Sequence, residues 1–130
     1  MEHDCSLLVV DDDEEFLEIL VRRFYRRGLF VKPATSAQAA IEAAEQHGFH
    51  VAIVDRSLPG HDGVELMVRL RERLPELQVI LLSGHGDAQA IAHARDRGAF
   101  EYLVKPSSLA DLEAAVARAQ QARGQGPQQP

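Results

Sequence analysis

Cysteine is almost missing from this chain of 130 residues: Cys5 stands alone. No disulfide can close within the chain, which fits a reducing compartment. Cys5 opens an apolar run and reads as core filler there. Long hydrophobic runs are also absent, and no stretch approaches the 18 or so apolar residues of a membrane span. The start, Met1-Glu2-His3-Asp4, lacks the basic residues of a secretory signal, so the expected location is the cytoplasm, without membrane insertion. Basic charge is in deficit as well. Fourteen Lys and Arg stand against twenty Asp and Glu, a formal charge of −6, which argues against direct contact with nucleic acid. The pairs Arg22-Arg23 and Arg26-Arg27 read as a solvated helix face. The six histidines show no metal-ligand spacing.

What remains is the length of one domain, enough to bury roughly two thirds of its unfolded surface. Apolar runs alternate with helical patterns along it. Residues 5–10, 29–32, 50–54, 77–82 and 100–104 read as strands. The run at 77–82 is nearly all apolar, as in a strand covered on both faces. The first helix is expected from Glu14 to Arg27, with Phe16, Ile19, Leu20 and Phe24 inward at 3.6-residue spacing. Its acidic start and basic end suit the helix dipole, and Gly28 stops it. Ser36 caps a helix over 37–47. Asp62 caps one running to about Leu74, with Glu65 completing a capping-box pattern. Further helices are expected over 87–97 and from Ser108 to about Arg123, the latter with Leu109, Leu112 and Val116 inward. Five strands alternating with five helices, joined by right-handed crossovers, make an α/β sandwich around a parallel five-stranded sheet. Residues 1–123 form the expected domain. Residues 124–130, rich in Gly, Pro and Gln, read as a flexible tail or linker.

The strand ends carry the chemistry. The first run ends in Asp11-Asp12-Asp13, the third in Asp55, the fourth in Ser83-Gly84 and the last in Lys105-Pro106. In a parallel sheet all four ends meet at one edge, which suits a divalent metal and a phosphoryl group. Taken alone, Asp11-Asp12-Asp13 would be a helix cap with a solvated acidic run; Asp55 and Lys105 at matching strand ends turn the reading toward a site.

Residues 5–123 as a whole resemble the receiver domain of two-component response regulators. The resemblance rests on Val9-Val10-Asp11-Asp12, Val54-Asp55, Leu58-Pro59-Gly60-His61-Asp62-Gly63, Leu82-Ser83-Gly84, Gly98-Ala99 and Tyr102-Leu103-Val104-Lys105-Pro106, in order and at suitable spacing. It implies a doubly wound, flavodoxin-like domain with strand order 2-1-3-4-5, and ligands outside the carboxyl ends of the strands.

It also implies roles. Asp55 is the phosphoacceptor nucleophile, and Lys105 and Ser83 contact the phosphoryl group. Asp12, Asp55 and the Ser57 backbone carbonyl ligate Mg²⁺, with Mn²⁺ as a substitute and Asp11 acting through water. Ser83 and Tyr102 form the switch, Tyr102 moving inward as Ser83 shifts toward the phosphate. The Lys105–Pro106 bond is expected to be cis. Arg56 and His61 border the site without a fixed duty, and Arg56 reads as solvated. His85 stands where the family varies and influences hydrolysis.

The implied partners are a sensor histidine kinase or histidine phosphotransfer protein. A downstream protein or fused output domain would use the face of the fourth helix, fifth strand and fifth helix, and a phosphorylation-dependent homodimer is a further expected assembly. No conventional substrate enzyme is expected, only self-phosphorylation from donors and slow autodephosphorylation. Two other readings stay open. One is a receiver-like interaction domain independent of phosphorylation. The other is a Mg²⁺-dependent small-molecule phosphatase or phosphotransferase, to which the spacing of Asp11 and Asp13 gives a faint likeness.

Overall fold

The computed structural model describes residues 5–84 and 86–124. Its elements run β1 (Ser6–Val10), α1 (Glu14–Arg26), β2 (Phe30–Ala34), α2 (Ala37–Gln46), β3 (Val51–Asp55), β4 (Ser57–Leu58), β5 (His61–Asp62), α3 (Gly63–Arg73), β6 (Gln78–Ser83), α4 (Ala88–Asp96), β7 (Glu101–Val104) and α5 (Leu109–Gly124). Five parallel strands form the main sheet in the order β2-β1-β3-β6-β7. With the two-residue strands β4 and β5 set aside, this is the expected 2-1-3-4-5 winding of the flavodoxin-like fold. β4 and β5 pair antiparallel as a small hairpin directly after Asp55; hydrophobic periodicity had no means of showing elements this short.

Side-chain alternation along each strand divides the interior in two. Leu8, Val10, Ala52, Val54, Val79 and Leu81 pack with α2, α3 and α4 on one face. Leu7, Val9, Val51, Ile53, Ile80 and Leu82 pack with α1 and α5 on the other. All twelve are at most 2% exposed, so β1, β3 and β6 are covered on both sides.

α1 buries Leu17, Leu20 and Phe24. Ile19, expected inward, is instead 50% exposed. The helix is rotated so that the 17/20/24 stripe meets the sheet, while Phe16 only flanks the cluster. Asp13 is the N-cap of α1, its carboxylate accepting from the Phe16 N–H. At the far end Gly28 has φ +90°, a left-handed conformation that L side chains resist. β2 runs through Pro33 to Ala34, past the expected end at 32, because an edge strand has no second partner to which Pro33 must donate.

The caps fall as expected at Ser36 and Asp62, with a further one at Asp87. The reciprocal capping box occurs at α5, where the Ser108 hydroxyl accepts from the Asp111 N–H (3.0 Å) and the Asp111 carboxylate from the Ser108 N–H (3.4 Å). Asp62 accepts from Val64, one residue short of Glu65. α5 runs to Gly124, so the expected boundary at 123/124 falls in its last turn. Residues 125–130, with the expected tail, lie outside the described residues, as do His85 and the first four residues.

Candidate phosphoryl and metal site

The hydrogen-bond ladder of the sheet continues past the strand ends and holds the backbone of the site. The Asp11 N–H donates to the Ala34 carbonyl (3.1 Å), the Arg56 N–H to the Leu82 carbonyl (2.9 Å) and the Lys105 N–H to the Ser83 carbonyl (2.7 Å). Asp11, Asp55, Ser83 and Lys105 are thereby placed at one edge by the strands themselves.

Asp11 and Asp55 are buried, and Asp12 is exposed. One carboxylate oxygen from each of the three lies within 4.8 Å of the others. The Asp11 Oδ1 accepts from the Asp13 N–H at 2.9 Å, and the Asp55 Oδ1 from the Ser57 N–H at 3.1 Å. The Lys105 ammonium reaches both buried acids. It donates to Asp55 Oδ2 at 3.3 Å and stands 3.6 Å from Asp11 Oδ2. That last distance is an ion pair without a hydrogen bond, and Asp11 Oδ2 is buried with no hydrogen-bond partner.

The electrostatics follow from this crowding. Burial, the main cause, together with the Asp55 and Asp12 charges raises the Asp11 carboxyl above its ordinary value, against the opposing pull of the Asp13 N–H and Lys105. Burial works to lower Lys105, yet the Asp11 and Asp55 carboxylates outweigh it and raise the ammonium. Three clustered carboxylates with one orphaned, buried oxygen make an all-oxygen donor set suited to a hard divalent cation. The residues therefore fit Mg²⁺.

The hairpin sets the rim. Gly63 donates to the Arg56 carbonyl at 2.7 Å, and a Cβ on Gly63 would stand 2.5 Å from both the Arg56 Cα and the Asp55 carbonyl oxygen. Only glycine lets α3 begin this close to the end of β3. A depression of about 570 Å³ beside the strand ends is lined by Arg56, Ser57, Leu58, Gly60, His61, Asp62 and Ser83. Ser83 is buried, Ser57 is exposed, and a Cβ on Gly84 would meet nothing within 4 Å. The Lys105–Pro106 bond is cis.

Two positions add what sequence reasoning lacked. Tyr102 is inside the fold, 7% exposed, among the residues that pack with α2, α3 and α4. Arg56, expected to be solvated, is half-buried and donates through Nη1 to the Tyr102 hydroxyl at 3.1 Å. The two residues are 46 positions apart, and no local pattern signals the contact.

Among the described residues no helix is long and apolar enough to cross a membrane.

Comparison with known proteins agrees with this architecture. The photosynthetic apparatus regulatory protein RegA of Rhodobacter capsulatus is 34% identical over 113 residues, covering 87% of this chain and 61% of RegA. The DNA-binding transcriptional regulator NtrC of Escherichia coli strain K12 is 34% identical over 111 residues, covering 85% of this chain but 24% of NtrC. The chain thus spans about three fifths of RegA and a quarter of NtrC. Among solved structures, a response regulator protein from Burkholderia pseudomallei, described with a phosphorylated aspartic acid, a calcium ion and citrate, superposes with a TM-score of 0.81 at 29% identity. The match covers 93% of this chain and 72% of that one. The sequence model of the response regulator receiver domain matches residues 7–117. With the strand order, the strand-end acids and these matches together, the chain belongs to the response regulator receiver domain family.

Proposed function

We propose that this receiver domain accepts a phosphoryl group on Asp55 from the phosphohistidine of a sensor histidine kinase or phosphotransfer protein, and that the modification switches partner binding. One observation carries the reading: Asp55 is buried beside Asp11 and Asp12 with Lys105 on its carboxylate. A carboxylate in such a place is a nucleophile with its charge compensation already in position. The Burkholderia protein, with its phosphorylated aspartate and calcium ion, supports the same chemistry.

In the transfer an Asp55 oxygen attacks phosphorus in line. The new O–P bond forms as the P–N bond to the donor breaks, and the electron pair leaves with the imidazole. Lys105 donates to a phosphoryl oxygen, and the Ser83 hydroxyl donates to another. Asp12, Asp55 and the Ser57 carbonyl are the proposed Mg²⁺ ligands, with Asp11 acting through water. Bound there, Mg²⁺ or Mn²⁺ neutralises charge on the phosphoryl oxygens. Water later hydrolyses the acyl phosphate, which makes the signal self-limiting.

Phosphorylation acts as a local change of charge that biases two states. Ser83 and Tyr102 are the proposed relay to the face of α4, β7 and α5, where a downstream protein, a fused output domain or a second copy would bind. The domain proper is assigned to residues 1–123, with 124–130 as a flexible tail or linker, and its place is the cytoplasm.

The test is intact mass after treatment with acetyl phosphate, with and without Mg²⁺, for wild type and Asp55→Asn. A Mg²⁺-dependent gain of about 80 Da, one phosphoryl group on a carboxylate, is expected in wild type and absent from the variant. An undiminished gain in Asp55→Asn would move the acceptor elsewhere. No gain with acetyl phosphate or with histidine kinases would favour an interaction domain independent of phosphorylation.

A further inference from the structure

Arg56 has no task in the phosphoryl chemistry above, yet it is the residue joined to Asp55. Its backbone is clamped from two sides, the N–H donating to Leu82 at 2.9 Å and the carbonyl accepting from Gly63 at 2.7 Å. The root of the side chain is therefore fixed relative to the phosphoacceptor. Its guanidinium spans two groups. Nη1 donates to the Tyr102 hydroxyl at 3.1 Å, and Nε stands 4.0 Å from Asp62 Oδ1. Asp62 is itself held, because the same oxygen accepts from the Val64 N–H at 2.9 Å. The planar fork of arginine suits such a bridge; the point charge of lysine does not.

A tyrosine on a strand end faces a choice. Outside, its hydroxyl is hydrated. Inside, the ring gains apolar contact and the hydroxyl needs a partner. Tyr102 is inside, 7% exposed. Arg56 supplies a charged donor to its hydroxyl, and charge-assisted bonds are the stronger kind.

We propose that Arg56 is a positioning residue: it tethers the Tyr102 hydroxyl and holds the ring inside before any phosphoryl group arrives, so the side chain next to Asp55 presets the aromatic part of the switch. The tether itself needs no phosphorylation; its role in signalling rests on the reading of Asp55 as phosphoacceptor.

The chain offers a direct probe, since it has two tyrosines and no tryptophan. Tyr25 is 65% exposed, so Tyr25→Phe leaves Tyr102 as the single emitter. Acrylamide quenching of tyrosine emission in that full-length background, without donor, reads the position of the ring. Arg56→Met is expected to raise the outward population about fivefold, the effect of a charge-assisted hydrogen bond weakened by partial exposure, and quenching rises with it. Arg56→Lys falls between the two. Unchanged quenching in a folded Arg56→Met chain overturns the tether. So does an equal rise at Tyr25 in a Tyr102→Phe background, which would report a loosened fold instead. If Arg56→Met does not fold, Arg56→Lys and Arg56→Gln carry the same comparison.

Acetyl phosphate then tests the link to signalling, with intact mass recording separately whether Asp55 is modified. Phosphorylation is expected to change quenching more in Arg56→Met than in wild type, because the variant starts with the larger outward population to draw in. A smaller change in the variant overturns the link.

Discussion

Replacing Gly63 with alanine sets two physical effects against each other. Helix propensity favours alanine over glycine by up to about 1 kcal/mol, and by less in the first turn, where Gly63 stands. Against this, the added Cβ would lie 2.5 Å from the Arg56 Cα and 2.5 Å from the Asp55 carbonyl oxygen. Carbon atoms prefer separations of about 3.5–4.0 Å, so relief requires a movement of about 1 Å. Both obstacles are backbone, and that backbone is anchored to β6 through the Arg56 N–H. Overpacking of this kind costs about 1–3 kcal/mol. The expected net effect is a loss of about 1–2 kcal/mol, read by urea unfolding of the metal-free chain. The movement also displaces the Asp55–Ser57 segment, so Mg²⁺ affinity should fall in the same variant. A Gly63→Ala protein at least as stable as wild type would refute the argument from close approach, because propensity alone would then have decided the outcome.

Two further substitutions probe the acidic cluster. Asp11 has a raised pKa, so its proton favours the folded state; the metal-free chain should lose stability as pH rises from the unfolded value near 3.8 through the higher folded value. Asp11→Asn should remove that part of the pH dependence and leave the metal-free protein more stable at neutral pH, as measured by urea titrations across pH; an Asn variant less stable than wild type there would contradict it. Asp12→Ala, at an exposed position, should leave folding within about 0.5 kcal/mol of wild type while weakening Mg²⁺ binding at least tenfold by calorimetry, a loss of order 1.4 kcal/mol. An unchanged titration would place the metal elsewhere.

Much of the architecture could be read from local pattern because local physics decides it. The double-faced strands announce themselves as unbroken apolar runs, as at 77–82, and the residues that end them become neighbours once the sheet is parallel. Caps such as Ser36 and Asp62 are local too. What escaped depends on tertiary placement. The spacing of Phe16, Ile19, Leu20 and Phe24 is truly helical, but which stripe of α1 meets the sheet is decided by the sheet, and it selected Leu17 over Ile19. β2 outran its expected end because Pro33 is tolerated at an edge. The bond from Arg56 to Tyr102 crosses 46 residues, and nothing near Arg56 distinguishes it from an ordinary surface arginine.

The division of the interior by the sheet has a consequence for how such a domain can vary. Tyr102 belongs to the layer packed with α2, α3 and α4, while Leu17, Leu20 and Phe24 of α1 belong to the layer on the other side. Substitutions in separate layers share few partners, and distant sites of that kind usually act additively. The sheet is thus a firebreak. A lineage can recut the surface of α1 to suit a new neighbour and leave the aromatic layer untouched, and damage in one layer need not spread to the other.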